Sequence, residues 1–222
     1  MSIAQNIKIF TDTFRNSTCK LIVVSKTYPN EAVQEAYAAG QRIFGENKVQ
    51  ELVPKYEALP KDIEWHLIGH LQSNKVKYIA PFVHLIHSVD SFKLLKEINK
   101  EAAKNNRVIN VLLQIYIADE ETKFGLDFKE AEAILQSEEL NYLNNIKIIG
   151  FMGMATNTED QEKIRLEFRS LKLFFDKCKA SYSSAIIDLN EISMGMSSDY
   201  EIAVEEGSTM VRVGSSIFGK RN

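Results

Sequence analysis

The sequence predicts an α/β fold, a single (β/α)8 TIM barrel with an extra N-terminal helix, occupying residues 1–222 as one domain. Three observations lead there. Eight short apolar runs alternate with stretches of helical periodicity. The runs are apolar at nearly every position, as strands covered on both faces must be. The length, 222 residues, suits one α/β barrel. A doubly wound open sheet shares these features, and periodicity does not separate the two. No repeat, low-complexity tract or linker interrupts the chain, which favours one domain.

Each element has a local reason. Residues 1–10 read as an amphipathic helix with Ile3, Ile7 and Phe10 on one side, and 21–25 as the first strand. The helix after Pro29 carries Val33, Ala36 and Tyr37 on one face and stops at Gly40, as a left-handed cap would make it. Residues 42–44 form the second strand and 47–56 a helix; 65–68 form the third strand. Residues 72–78 are helical up to Pro81, and 83–87 form the fourth strand. Asp90 is the expected N-cap of a helix presenting Leu94, Leu95, Ile98 and Ala102 on one side.

The second half is patterned more strongly. Residues 108–117 are the fifth strand and 146–151 the sixth. Asp127-x-x-Glu130 and Thr158-x-x-Gln161 both resemble capping boxes. The second opens a long helix whose buried stripe is Ile164, Phe168, Leu171, Phe175 and Cys178. Residues 186–193 are the seventh strand, 199–206 a helix capped by Ser198, and 210–213 the eighth strand.

Composition excludes several functions. With 27 basic and 30 acidic residues and a net charge of −3, the chain lacks the concentrated basic surface that nucleic acid demands. Its longest aliphatic runs, such as 21–24, are far short of the roughly 20 residues of a membrane span. Gln5, Asn6 and Lys8 break the apolar character that a signal peptide needs. Cys19 and Cys178 stand apart with no CxxC, so both are expected as reduced packing residues of a cytoplasmic protein. Asn16-Ser17-Thr18 spells a glycosylation acceptor only formally.

In parallel α/β proteins, ligands meet the carboxyl ends of the strands. The polar residues there are Ser25-Lys26-Thr27, Gly45-Glu46-Asn47, Gly69-His70, His87-Ser88, Met152-Gly153, Ser193-Met194-Gly195 and Gly214-Ser215. A lysine ending a buried first strand loses hydration, which disfavours its ammonium form and suits Schiff-base chemistry with an aldehyde. The plain alternative is that Lys26 reaches out to solvent. The loops after strands seven and eight carry Ser193-Met194-Gly195-Met196-Ser197 and Arg212-Val213-Gly214-Ser215-Ser216. Small residues and hydroxyls there could cradle a phosphate, with Ser197 and Ser198 just ahead of a helix N-terminus. Ordinary serine-capped turns would look the same. An amine, a phosphate nest and an arginine at one barrel mouth suggest an aldehyde bearing a phosphate.

Other motifs fail. Residues 214–220 read G-x-x-x-x-G-K, but Arg221 replaces the required hydroxyl residue and only Asn222 follows, too little for a Walker A helix. His66 and His70 have metal-like spacing without a third ligand, so His66 is expected as a hydrogen-bonded ring and no metal is expected. His84 and His87 fall on opposite faces of a strand with no visible partner, and the glutamates at 130, 132, 138 and 139 read as solvated helix faces. No Ser–His–Asp set emerges from the spacing.

The strings Val24-Ser25-Lys26-Thr27, Phe44-Gly45-Glu46-Asn47-x-Val49-Gln50-Glu51 and Trp65-His66-Leu67-Ile68-Gly69-x-Leu71-Gln72-x-Asn74-Lys75 form a connected set. It continues through Ser88-Val89-Asp90, Lys123-x-Gly125, Gly150-Phe151-Met152, Ser193-Met194-Gly195-Met196-Ser197-x-Asp199 and Val211-Arg212-Val213-Gly214-Ser215-x-Ile217-Phe218-Gly219. This set, in order over nearly the whole chain, resembles the pyridoxal 5′-phosphate (PLP) homeostasis proteins of the YggS/PROSC type. The resemblance implies a PLP fold type III-like barrel similar to the alanine racemase N-terminal domain, with PLP in Schiff-base linkage to Lys26. It further implies Arg212 near the pyridine nitrogen, Ser193, Gly214 and Ser215 at the phosphate, Asn47 beside the ring, and Ser197 as a further phosphate neighbour. Tyr116 stands where the family commonly has Asn, and Ser91 where Arg is frequent; these departures touch local packing or a surface contact.

Two function classes follow. One is a cytoplasmic carrier, expected as a monomer, that buffers PLP (vitamin B6) or delivers it to PLP-dependent apo-enzymes without turnover. The other is an amino-acid racemase of low activity, and racemisation needs two acid/base groups on opposite faces of the substrate. In the alanine racemases that this barrel resembles, one comes from a C-terminal β domain, which is expected to be absent because the sequence stops at Asn222. An arginine at the ring nitrogen can only donate, which weakens the cofactor as an electron sink. Alanine racemase shares that arrangement, so it does not decide between the classes. A regulator that binds a protein partner through the barrel is compatible with the carrier.

Overall fold

A computed structural model describes residues 2–15, 17–119 and 124–219. Strands β1 (Lys20–Val24), β2 (Ile43–Glu46), β3 (Glu64–Leu67), β4 (Leu85–Val89), β5 (Ile109–Ile115), β6 (Ile146–Gly153), β7 (Ile187–Met196) and β8 (Met210–Val213) pair in sequence order as a closed parallel barrel. The seam between β1 and β8, with Lys20 opposite Met210 and Val23 opposite Val213, separates this fold from an open sheet. Sequence pattern cannot show that seam, because it lies in pairing between chain ends.

The helices are α1 (Ile3–Thr13), α2 (Asn30–Ala38), α3 (Val49–Ala58), α4 (Val76–Ile79), α5 (Phe92–Lys104), α6 (Phe128–Gln136), α7 (Gln161–Ser181), α8 (Tyr200–Glu205) and α9 (Ser215–Phe218). Strand residues facing outward, such as Val23, Phe44, Trp65 and Ile86, meet the helix stripes in one large buried cluster. A second, inner cluster of Ile22, Leu85, Leu112, Met152 and Met210 fills the middle of the barrel. The middle of the barrel is therefore filled by packed side chains and is not an open channel.

Most expected elements are present with ends shifted by a residue or two. Three caps differ. The α5 helix is capped by Ser91, whose Oγ accepts the Leu94 N–H at 3.2 Å, while Asp90 faces His70 at 3.2 Å. Ser91, a departure from the family pattern, thus has a local structural job. Asp160, not Thr158, caps α7, because its carboxylate accepts from both Glu162 and Lys163 N–H groups. Asp199, not Ser198, occupies the N-cap position of α8 and turns its carboxylate back to the Met196 N–H at 2.5 Å. The Asp127/Glu130 capping box is present as expected, and a further one, Ser2 with Gln5, starts α1.

Helix α1 does more than cover apolar surface. Phe10 packs against Tyr200 with ring centroids 5.1 Å apart, and the Asn6 amide donates to the Ile217 carbonyl at 2.8 Å. It thereby braces α8 and α9, the two short helices beside the seventh and eighth strand ends. Cys19 and Cys178 are free and buried, and burial raises their thiols to about 12 and about 11 respectively. Among the described residues no helix is long and apolar enough to cross a membrane. Asn16, Lys123, and the Lys220 and Arg221 of the Walker-like string lie outside the described residues.

Candidate functional site

At the carboxyl ends of the strands a cavity of about 310 Å³ is lined by Val24, Lys26, Asn47, Ile68, Met154 and Met196 together with Ser197, Ser198, Arg212, Gly214 and Ser215. That volume is at the low end of small-molecule pockets, roughly 300–1,000 Å³. Six of the seven residues expected from the sequence meet here: Lys26, Asn47, Ser197, Arg212, Gly214 and Ser215. Lys26 leaves the end of β1 half-buried and lines the cavity. The next residue, Thr27, has φ 69°, a left-handed conformation that a β-branched residue rarely adopts. The Glu51 carboxylate holds this bend by accepting the Thr27 N–H at 2.7 Å.

Ser193 is the exception. It is completely buried and does not line the cavity; its Oγ is engaged by Arg212 Nη1 at 2.6 Å and by His87 Nδ1 at 2.9 Å. β7 places Ser193 inside the barrel, off the cavity wall and against the arginine. Its hydroxyl fixes the guanidinium, which also donates to the Gly153 carbonyl at 3.1 Å. Burial lowers the Arg212 pKa to about 10, partly offset by Asp199, so the group keeps its charge at neutral pH.

The chain of contacts continues downward. His87 Nε2 lies 3.0 Å from His66 Nδ1, so Arg212, Ser193, His87 and His66 form one buried polar string through the barrel. Desolvation pushes both imidazoles below the usual histidine range, His66 to about 3, which keeps them neutral. Spacing along the chain shows no partner for His87, because Ser193 and His66 come from other strands. A polar residue inside the fourth apolar run was the only available signal.

The rest of the mouth is shaped by close backbone approach. A Cβ on Gly69 would stand 2.4 Å from the Asn47 carbonyl oxygen, so glycine there lets the third loop press on the Asn47 backbone. A Cβ on Gly214 would meet the Val24 carbonyl oxygen at 3.0 Å. The Gly214 N–H donates to Ser197 Oγ at 3.3 Å, joining the two small-residue loops. At the start of α9 the Ile217 and Phe218 N–H groups donate to the Gly214 carbonyl at 2.9 and 3.0 Å, and the Ser215 and Ser216 N–H groups head the helix. Asn47 Oδ1 is buried with no hydrogen-bond partner among the described residues. Beside the mouth, Lys55 donates to Glu46 Oε1 at 2.6 Å and to the Ser25 carbonyl at 2.7 Å, tying β1, β2 and α3 together just ahead of Lys26.

The wall thus combines an amine, a buried guanidinium, hydroxyl donors and an unsatisfied carbonyl oxygen. Such a set suits a small anionic molecule with a reactive carbonyl.

Known proteins share this arrangement of fold and chain. The family model for the alanine racemase N-terminal domain matches residues 1–222. The pyridoxal phosphate homeostasis protein of Aquifex aeolicus is 44% identical over 209 residues, 93% of this chain and 90% of that protein. The structure of PipY from Synechococcus elongatus with PLP bound superposes with a TM-score of 0.87 at 36% identity, covering 98% of this chain and 100% of that one. Alanine racemase from Bartonella henselae shares the fold at a TM-score of 0.71 and 15% identity, over 99% of this chain and 60% of that enzyme. By sequence, length and fold, then, this chain belongs to the family of pyridoxal phosphate homeostasis proteins, built on the alanine racemase N-terminal domain.

Proposed function

We propose that this chain binds PLP at the carboxyl mouth of its barrel, holds it covalently through the Nζ of Lys26, and buffers or delivers it within the cytoplasm. The observation that carries this reading is the meeting of Lys26 and Arg212 with the Ser197–Ser198 and Gly214–Ser215 loops around one cavity. The residues fit the group. The buried, unpartnered Oδ1 of Asn47 offers an acceptor, and the two loops offer backbone and hydroxyl donors where an anion would rest. Bound there, PLP supplies an aldehyde that condenses reversibly with a primary amine.

In this reading Lys26 is the amine, and Gly214, Ser215 and Ser197 grip the phosphate. Arg212 holds a fixed donor toward the ring nitrogen, and Asn47 sits beside the ring. Ser193 is a positioning residue acting through Arg212. The relative from Aquifex aeolicus is named for PLP homeostasis, and PipY has been seen with PLP; both support the assignment. Lys26 and Arg212 are the ionisable groups lining the cavity among the described residues, and Arg212 remains a donor across the neutral range. That wall suits retention better than proton shuttling on two faces, which favours a carrier without turnover over a racemase. We assign residues 1–222 to one PLP-binding domain that works as a monomer and hands PLP to apo-enzymes.

Borohydride reduction of the PLP-incubated protein, followed by peptide mass spectrometry, tests the assignment. The expected result is one pyridoxyl group on Lys26, absent in Lys26→Ala. A label on other lysines, or none, would overturn it. Exchange of the α-hydrogen of alanine or serine in deuterated water tests the carrier role: many turnovers per chain would establish a racemase instead.

A further inference from the structure

The opposite mouth of the barrel holds a second polar cavity, of about 510 Å³, walled by the amino ends of the strands. Its two lysines are each matched by an acid: Lys20 by Glu191, and Lys147 by Asp188 at 2.7 Å. Glu64 has a different neighbour. Its carboxylate lies 3.5 Å from His84 Nε2, and among the described residues it has no lysine or arginine partner. Glu64 and His66 point to the same side of β3, two residues apart, while His84 just precedes β4 with its ring parallel to that of His66, centroids 5.5 Å apart.

His66 supplies the decisive detail. It is 2% exposed, and its Nδ1 is occupied by His87. Its Nε2 is buried without any hydrogen-bond partner among the described residues. A buried polar atom left without a partner is costly, so its persistence calls for a ligand. One ligand atom from each of Glu64, His66 and His84 can be chosen so that all lie within 4.8 Å of one another.

We propose that the amino-terminal mouth of the barrel binds a divalent transition-metal ion of the zinc class, with Glu64, His66 and His84 as its protein ligands. Two imidazoles and a carboxylate form a donor set that zinc takes with an open fourth position. Nitrogen-rich donors disfavour magnesium and calcium, which prefer oxygen. Tetrahedral ligands at zinc distances stand roughly 3.4 Å apart. The half-exposed Glu64 and His84 side chains can close that gap by rotation while His66 stays fixed. The pair singled out by spacing, His66 and His70, is not the site. His70 lies beyond the carboxyl end of β3, paired with Asp90 and stacked on Phe124.

An ion on His66 Nε2 has a consequence for the polar string. The ring proton must then sit on Nδ1 and be donated to His87 Nε2, so His87 donates from Nδ1 to Ser193. The metal site is thereby joined, through two neutral imidazoles, to the serine that anchors Arg212. The site itself does not depend on the cofactor reading, because its ligands lie at the other end of the barrel.

Equilibrium dialysis of tag-free protein against Zn²⁺, with metal analysis, tests this. About one ion per chain is expected for the wild type, with affinity falling roughly 10-fold or more in His84→Ala and in Glu64→Gln. His70→Ala serves as the control and should bind as the wild type does. Both altered ligands are half-exposed, so the variants should fold, which circular dichroism checks. Nitrogen-15 NMR gives a second reading: zinc should shift the buried His66 Nε2 resonance and fix its proton on Nδ1. No zinc bound by the wild type, unchanged affinity in both ligand variants, equal loss in His70→Ala, or an unmoved His66 ring would each overturn the proposal.

Discussion

Arg212, a residue of the cavity wall, donates at 2.6 Å to Ser193, a residue that no solvent reaches. One strand thus carries the charge and its neighbour carries the anchor, and the position of the guanidinium is set from inside the barrel. A hydrogen bond to a charged group contributes about 1.5–3 kcal/mol, which is enough to matter for retention of a small ligand. Ser193→Ala should therefore weaken PLP binding about 10-fold, and Arg212→Ala should weaken it more. Because the serine acts through the arginine, adding Ser193→Ala to Arg212→Ala should cost little further. Additive losses in that cycle, read from PLP titrations, would mean that Ser193 contacts the ligand on its own account.

The pair Glu46 and Lys55 makes a pH-dependent prediction. Burial raises the Glu46 pKa, with Lys55 and Ser25 pulling against it. A carboxylate whose folded pKa lies above its unfolded value stabilises the fold below the unfolded pKa, and that contribution is lost as pH rises through the folded pKa. Lys55→Met removes the main opposing charge, so the raised pKa climbs further. The variant should lose about 3–5 kcal/mol at pH 7, where a buried carboxylate is left without its cation, and less near pH 5. Urea unfolding at both values checks this; a penalty independent of pH would show that Glu46 is not the cause.

Close approach at Gly69 gives a steric test. An alanine methyl there would stand 2.4 Å from the Asn47 carbonyl oxygen and 2.8 Å from its Cα, both backbone atoms with little room to yield. Gly69→Ala should destabilise by about 1–3 kcal/mol and speed PLP release by displacing Asn47. At Gly45 the nearest atoms are side-chain carbons of Ile22 and Ile68 at 3.0 and 3.1 Å, which can shift, so Gly45→Ala should be milder. Equal effects of the two substitutions on the urea midpoint would argue against the backbone clash.

The start of α5 separates two neighbouring residues. Ser91→Ala removes the side chain that accepts the Leu94 N–H and should cost about 1 kcal/mol. Asp90→Ala breaks a contact with His70 at the barrel mouth and should cost less. Chemical denaturation of the two variants decides the order; a larger loss for Asp90→Ala would restore it as the cap.

Period and composition were sufficient for the barrel's strands and for the helix stripes, because burial on both faces of a strand and on one face of a helix leaves a mark in the local order of residues. Lys26, Asn47, Ser197, Arg212, Gly214 and Ser215 were legible for the same reason: the carboxyl end of an apolar run in a parallel sheet lies at a mouth, whichever strand it is. Caps were less legible. Asp90 and Ser91, Thr158 and Asp160, or Ser198 and Asp199 are all competent cap formers, and the backbone angle at the first turn chooses between them.

What local order could not decide was which side chains meet across the barrel. The contact of Ser193 with Arg212, the string through His87 to His66, and the approach of His84 to Glu64 and His66 join different strands. Each depends on strand register and on closure of β1 against β8. Those are properties of hydrogen bonding between distant segments, and a linear pattern of apolar and polar residues carries no record of them.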